Sequence, residues 1–386
     1  MSISILNKEY DINIQVLYLA CNKLKSLPVE VCNLINLKEL YLHKNSLSSL
    51  PKEIGRLINI KYLILSNNSL SSLPTEIGSL INLQILTLFH NSLTSLPAEI
   101  GNLTNLQTLH LHANKLSSLP RALRGCSGCS GCPAEIGNLI NLKKLVLSRN
   151  SLTSLPSEIG RLCNLQSLIL CDNSLTSLPA EICRLYNLQE LNLGNNSLTS
   201  LPESIQTLSN LDVSNNKLTS LSESIGILSN LDTLELYNNK LTSLPKSIGS
   251  LTNLKTLSLQ KNNLISLPKS IGSLTNLKTL SLQKNNLISL PKSIGRLSNL
   301  EELYLSNNNL TYLPESIATH IKIEDLKLDE SSYEINNLSM DCHTLVLTSI
   351  DNNITNLPPI LRTLYLKSDI DVDMIKLPYG CDIIRF

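Results

Sequence analysis

Three cysteines, Cys126, Cys129 and Cys132, stand at C-x-x-C-x-x-C spacing inside R-A-L-R-G-C-S-G-C-S-G-C-P, residues 121–133. Thiolates so spaced resemble the first three ligands of an iron–sulfur or zinc loop. A fourth ligand is missing nearby, and the competing reading is a Gly-Cys-Ser expansion forming a disordered loop. No metal is assigned, and the three remain candidates only. A second set is His90, His110 and His112. His110 and His112 share a face at i and i+2, which suits metal ligation or a pH switch. Neither a carboxylate nor a cysteine stands clearly in the adjacent columns, so no metal is assigned there either. Catalysis finds no support, because the chain lacks G-x-x-x-x-G-K-[ST], G-x-S-x-G and H-E-x-x-H. Carboxylates such as Glu53, Glu76 and Glu99 recur at one repeat position, where they read as solvated charges at a helix start. The expectation is a non-enzyme without cofactor.

These residues take their positions from a repeat. Residues 246–268, KSIGSLTNLKTLSLQKNNLISLP, recur letter for letter at 269–291, and looser copies of the 23-residue unit run from about Ile14 to Pro314. Leu40-Tyr41-Leu42 and Leu63-Ile64-Leu65 alternate, so one side of a short strand enters a core and the other faces out. A lone unit cannot bury its leucines, and only stacked neighbours close the interior. Asn22, Asn45, Asn68, Asn91, Asn114, Asn150, Asn173, Asn196, Asn216, Asn239, Asn262, Asn285 and Asn308 keep fixed register with that ladder. A side chain with both donor and acceptor there satisfies the backbone groups that the inward turn strands. Pairs such as Leu50-Pro51 end the turn, and P-x-x-I-G-x-L follows as one or two helical turns on the outer wall, its Gly relaxing the exit.

The ladder L-x-x-L-x-L-x-x-N-x-L-x-x-L-P resembles the leucine-rich repeat family over most of the chain. The expected fold is therefore an α/β repeat solenoid, a horseshoe with a parallel β-sheet on the concave face and short helical turns on the convex face. The chain reads as one solenoid, 1–386. Its parts are a lead-in at 1–13, regular repeats at 14–321 interrupted by the 121–133 insertion, and degenerate repeats with a C-terminal cap at 322–386. The stretch Leu357 to Leu366 resembles FNIP-type repeats. Repeat nine is three residues short and has Leu221-Ser222 for the usual L-P, which should flatten or twist the arc locally. The pattern L-P-x-x-I-G-x-L-x-N-L is similar to intracellular members, including plant Ras-group-related and scaffold proteins. That resemblance implies a cytoplasmic adaptor whose hollow binds a protein, and a place in signalling only through that kinship.

Outward columns of the strands locate the candidate partner-binding residues: Tyr18, Tyr41, His43, Tyr62, Ile64, Ile85, Phe89, His110 and His112, with Val16 beside them. No core requires these side chains, and exposed aromatics on a rigid wall are what protein partners use as anchors. From repeat eight the same columns turn polar, reading Asn192, Asp212, Glu235, Gln260 and Gln283. The alternatives are a metal or redox module at the cysteine loop, or an array grown by duplication with no dedicated ligand. Lys and Arg number 32 against 31 Asp and Glu, a net charge of +1. On that balance no nucleic-acid partner is expected. No apolar run reaches about 18 residues, so no membrane partner is expected. Ten cysteines without a secretory leader suit reduced thiols. They read mostly as small apolar fillers, as at Cys32 and Cys163, and the expected state is a monomer.

Overall fold

The computed structural model describes residues 2–5, 8–121, 135–203, 207–305, 307–309, 314, 325–328, 344–347, 357, 361–366 and 371–385. The cysteine triplet Cys126, Cys129 and Cys132 lies outside them. Two compact units divide the chain, Met1–Ser197 and Leu198–Phe386, the second opening with the shortened repeat.

The N-terminal unit starts with an antiparallel hairpin of β1 (Ser2–Ile5) and β2 (Lys8–Asp11), where the sequence suggests only a lead-in. Ile5 is buried, and β1 lies beside the turn Val29–Asn33, so the hairpin covers apolar surface that an open first coil would expose. Eight parallel strands follow: β3 (Val16–Tyr18), β4 (Glu39–Tyr41), β5 (Tyr62–Ile64), β6 (Ile85–Thr87), β7 (Thr108–His110), β8 (Lys144–Val146), β9 (Ser167–Ile169) and β10 (Glu190–Asn192). Each pairs with the next in the register that places leucine on leucine, Leu40 against Leu63 and Leu63 against Leu86. The 121–133 insertion leaves that register intact, since Leu109 still pairs with Leu145.

In the C-terminal unit β11 (Asn210–Asp212), β12 (Thr233–Glu235), β13 (Thr256–Ser258), β14 (Thr279–Ser281) and β15 (Glu302–Tyr304) continue the pattern. The degenerate repeats add β16 (Asp325–Leu328), β17 (Thr344–Leu347), β18 (Thr363–Leu366) and a final β19 (Asp382–Arg385), all parallel. The leucine spacing predicts the first three of these. The last strand has no leucine ladder, and nothing in its spacing announces it.

Both units are solenoids with the sheet on one wall and short turns on the other. Ladder side chains such as Leu40, Leu42, Leu63, Leu65, Leu257 and Leu259 have no exposed surface, and each stabilises its coil by about 1.5–3 kcal/mol. The outer turns are short 3-10 turns, mostly of five residues, for instance Lys52–Arg56, within the one or two helical turns expected. Proline opens them because its fixed φ suits the entry, with Pro51 at φ −68°. Ile54 and Leu57 then point inward, fully buried, and the Leu57 N–H closes the turn on the Ile54 carbonyl. Glycine in these turns serves close approach rather than a relaxed exit. A Cβ on Gly78 would lie 2.6 Å from the Glu99 carbonyl oxygen of the next coil.

The asparagine ladder bridges coils as the sequence predicts. Asn91 accepts from Leu70 N–H at 2.9 Å and donates Nδ2 to the Leu65 and Leu88 carbonyls, both at 3.0 Å. Asn262 repeats the arrangement with Leu241, Leu236 and Leu259. A second ladder runs along the outer edge: Asn59, Asn82 and Asn105 donate to the carbonyls of Ile35, Ile58 and Ile81. Directly before each inner asparagine the backbone turns left-handed at a residue that is never glycine, as at Lys44 (φ 55°), His90 (φ 52°), Ala113 (φ 55°) and Lys261 (φ 57°). Cys32 is fully buried as a small filler, and burial followed by the charge of Glu53 pushes its thiol up to about 11. Cys163 departs from the filler expectation, since it is exposed.

A candidate partner-binding wall

Alternation within each three-residue strand decides which side chains reach the wall. With Leu17, Leu40, Leu63, Leu86 and Leu109 turned into the core, the flanking residues must face out. Lateral pairing then aligns them in rows: Tyr18 with Tyr41, Tyr41 with Ile64, and Tyr62 with Ile85. The nine residues predicted from sequence all fall on this wall. Tyr18 is 68% exposed and Val16 38%, while Tyr41, His43, Tyr62, Ile64, Ile85, Phe89, His110 and His112 are half-buried against one another.

Two stacked pairs lie along the strip. The Tyr18 and Tyr41 rings lie 4.5 Å apart with 13° between their planes, and His43 meets Tyr41 edge-on at 6.5 Å. Further along, Phe89 and His112 stack at 4.5 Å and 9°, with His90 and His110 edge-on to His112 at 5.8 and 6.1 Å. Tyr62, Ile64 and Ile85 occupy the rows between. Aromatic pairs at such separations contribute about 0.5–1.5 kcal/mol beyond their buried area, so the rings are held rather than waving, and a partner loses less entropy on meeting them.

The Tyr41 hydroxyl donates to Glu39 Oε2 at 2.7 Å, and that bond, ahead of burial, pushes the phenol up to about 12. Burial lowers the proton affinity of His110 and His112. Lys144 adds to the effect on His110, and His110, His90 and Arg149 add to it on His112. His110 Nε2, His112 Nδ1 and His43 Nδ1 are enclosed and have no hydrogen-bond partner. The histidines do come together as the spacing suggests. Even so, among the described residues no group of three or more His, Cys, Asp or Glu is placed to hold a metal ion.

The strip does not stop at His112, where the residues named from sequence end. Val146 and Ile169 extend it, half-buried in the same row and paired with each other across β8 and β9. Lys144, exposed beside them, belongs to the same wall. A signal for all three was present, because they occupy the outward columns that pick out Tyr41 and Ile64. No described helix is long and apolar enough to cross a membrane.

No curated protein sequence matches the chain. A family model for a leucine-rich repeat region matches residues 44–125, 121–214, 207–285 and 246–347, and one for a leucine rich repeat matches 12–70. Among solved structures, a leucine-rich repeat protein of Leptospira interrogans is 35% identical with a TM-score of 0.74, over 97% of this chain and 96% of that one. The plant peptide hormone receptor RGFR1, solved in complex with RGF2, is 30% identical with a TM-score of 0.66, over 96% of this chain and 64% of the receptor chain. An internalin of Listeria monocytogenes, 24% identical with a TM-score of 0.65 over 80% of this chain and 86% of its own, shares the fold. By its repeat models and its full-length likeness to the Leptospira protein, the chain belongs to the leucine-rich repeat family.

Proposed function

We propose that the chain is a non-enzymatic protein-interaction module, an adaptor that binds a protein partner on the sheet wall of the N-terminal unit. The observation that carries this reading is the set Tyr18, Tyr41, Tyr62, Ile64, Ile85 and Phe89 on adjacent rows of the sheet wall, with Tyr18 stacked on Tyr41 and Phe89 on His112. It is an aromatic and aliphatic strip, half-buried except at the exposed Tyr18, on a wall whose core is already complete without it. The complex of RGFR1 with RGF2 supports it, as a relative 30% identical that is solved with another molecule bound. Free thiols at Cys21, Cys32, Cys163, Cys171, Cys183 and Cys381 support a reducing, cytoplasmic setting, and a signalling role follows from the resemblance to scaffold members.

The C-terminal unit favours a different reading. Its duplicated coils display the same Thr-Leu-Ser triplets, Thr256–Ser258 and Thr279–Ser281, as expected of an array lengthened by duplication with no dedicated ligand there.

The test is affinity purification with the full chain as bait, in parallel with Tyr41→Ala, Tyr62→Ala and Phe89→Ala. A specific partner should be recovered by the parent and by an outer-wall control, Glu158→Ala, and be depleted roughly tenfold or more by the wall variants, the loss that truncating one anchor residue brings. Equal recovery by all five baits overturns the assignment of the wall.

A further inference from the structure

We propose that the N-terminal sheet wall takes an acidic peptide segment, one carboxylate of which seats against His110 and His112, so that binding takes up protons. The inference rests on the interaction wall proposed above and gives it a ligand chemistry.

The histidine end of the strip is built but incomplete. His112 is clamped between the face of Phe89 and the edges of His90 and His110, which leaves its ring little freedom. Yet His112 Nδ1 and His110 Nε2 are enclosed without a partner, and buried polar atoms of native proteins are ordinarily satisfied. A protonated imidazole has two donors and no acceptor. With those two nitrogens closed to an incoming atom, an anion is the complement of the protonated rings, met through their remaining N–H groups and through charge.

The surroundings point the same way. The charged or titratable groups facing these rings are His90 from the preceding coil and Lys144 and Arg149 from the following one. Arg149 is partly engaged by Asp172 at 3.7 Å. Lys38, Lys61 and Lys143 are exposed where β4, β5 and β8 begin. The carboxylates of the same wall are fewer: Glu39 accepts from the Tyr41 hydroxyl and Glu190 from Ser167 Oγ at 2.6 Å, bonds that leave their charge in place. On the opposite wall Glu53, Glu76 and Glu99 lie in the first turns of the 3-10 segments, the first beside Lys52 and Arg56 and the other two with no basic residue in the turn. The near-zero net charge thus conceals a segregation that leaves a cationic sheet wall. Between the charges lie Ile64, Ile85, Val146 and Ile169, aliphatic surface that suits peptide side chains, while the rings of Tyr41 and Phe89 each have one face already covered, by Tyr18 and by His112.

The sign follows from linkage. In the free protein, burial and the neighbouring cations keep both rings below the ordinary histidine range, hence neutral near pH 7. A bound carboxylate favours the protonated form, so the complex holds more protons than its parts. Affinity rises as pH falls below the pKa in the complex and levels off below the pKa of the free protein.

The experiment selects a random dodecapeptide phage library on the immobilised full chain at pH 6.0 and at pH 7.5, and measures synthetic copies of the enriched peptides by fluorescence anisotropy. The expected peptides carry Asp or Glu beside aliphatic or aromatic residues. They bind roughly threefold tighter at pH 6.0 than at pH 7.5, the part of the limiting tenfold that this interval captures when the bound carboxylate raises the pKa of one histidine by about 1, and lose that dependence in His110→Gln and His112→Gln. Lys144→Glu, an exposed change that spares the packing, should weaken them at both pH values. The proposal is overturned by neutral or basic consensus sequences, by pH-independent affinity, by no enrichment at either pH, or by a single-stranded RNA oligonucleotide that displaces the peptides. If Tyr41→Ala abolishes binding while the histidine variants and pH do nothing, the interaction wall stands and only this inference falls. If none of these variants matters, both fall.

Discussion

The two units carry the same frame and opposite displays. Leu86 and Leu257 are equally buried, and Asn91 and Asn262 make matching sets of three bonds to backbone. On the sheet wall, however, Tyr41, Ile64, Thr87 and His110 form one lateral row in the first unit, where the second has Glu235, Ser258, Ser281 and Tyr304. Ser258 and Ser281 sink into the wall and are almost covered. The outer edge repeats the contrast. Ile35, Ile58, Ile81 and Ile140 are about half exposed, where the second unit has Ser229, Thr252 and Thr275. Since stability comes from the ladder and its neighbours, the display columns are free to diverge, and their enrichment in apolar residues in the first unit is what supports the partner wall proposed there.

If the frame is shared, breaking it should cost the same in both units. Asn91→Ala and Asn262→Ala each remove one acceptor and two donated bonds from buried backbone. At about 1–3 kcal/mol for each group left unpaired, each should lower stability by about 3 kcal/mol or more, with hydrogen exchange accelerated in the altered coil and its two neighbours. Urea unfolding of both variants checks this. Losses differing by more than about twofold would show that the units are not built on one frame.

A change confined to the display should leave the frame intact. Tyr41 donates to Glu39, so its neutral form is favoured and its ionisation moves from about 10 up to about 12. An acid raised in this way adds stability that is fully present below pH 10 and fades as pH climbs towards 12. Glu39→Gln should return one tyrosine titration, followed by tyrosinate absorbance, to the ordinary range. The thermal midpoint at pH 7 should fall only slightly, since one such hydrogen bond contributes about 0.5–1.5 kcal/mol. An unchanged titration would mean that the pair does not form.

The legible parts of this molecule are those where stacking imposes a residue type. Leucine and asparagine columns declare themselves because burial tolerates little else, and the wall residues follow from them by strand alternation. The degenerate strands β16 to β18 are readable for the same reason, as each keeps two leucines in register. Three features are not. Glycines such as Gly78 answer to the neighbouring coil, which a single unit does not reveal. The edge asparagines Asn59, Asn82 and Asn105 are visible in every repeat, but their acceptors lie 24 residues earlier on an exposed edge. The charge segregation is hidden because composition sums over both walls.

The left-handed residue before each ladder asparagine is also invisible, since that column holds Lys44, His90, Ala113 and Arg149 in one unit and mostly asparagine or lysine in the other. No shared chemistry betrays it, so the stack must impose the conformation against local preference. For an ordinary L-residue that costs about 1–2 kcal/mol, and less for asparagine, whose short polar side chain tolerates the region. Glycine removes the steric part but adds about 0.5–1 kcal/mol of chain entropy to be lost on folding. On those opposing magnitudes Ala113→Gly, in the first unit, should gain about 0.5 kcal/mol. Asn238→Gly, at φ 54° in the second, should be neutral or slightly destabilising. Paired urea midpoints resolve the difference. If Ala113→Gly loses stability as well, the left-handed turn is not strained at alanine, and the frame is more permissive at this column than the dihedral angles imply.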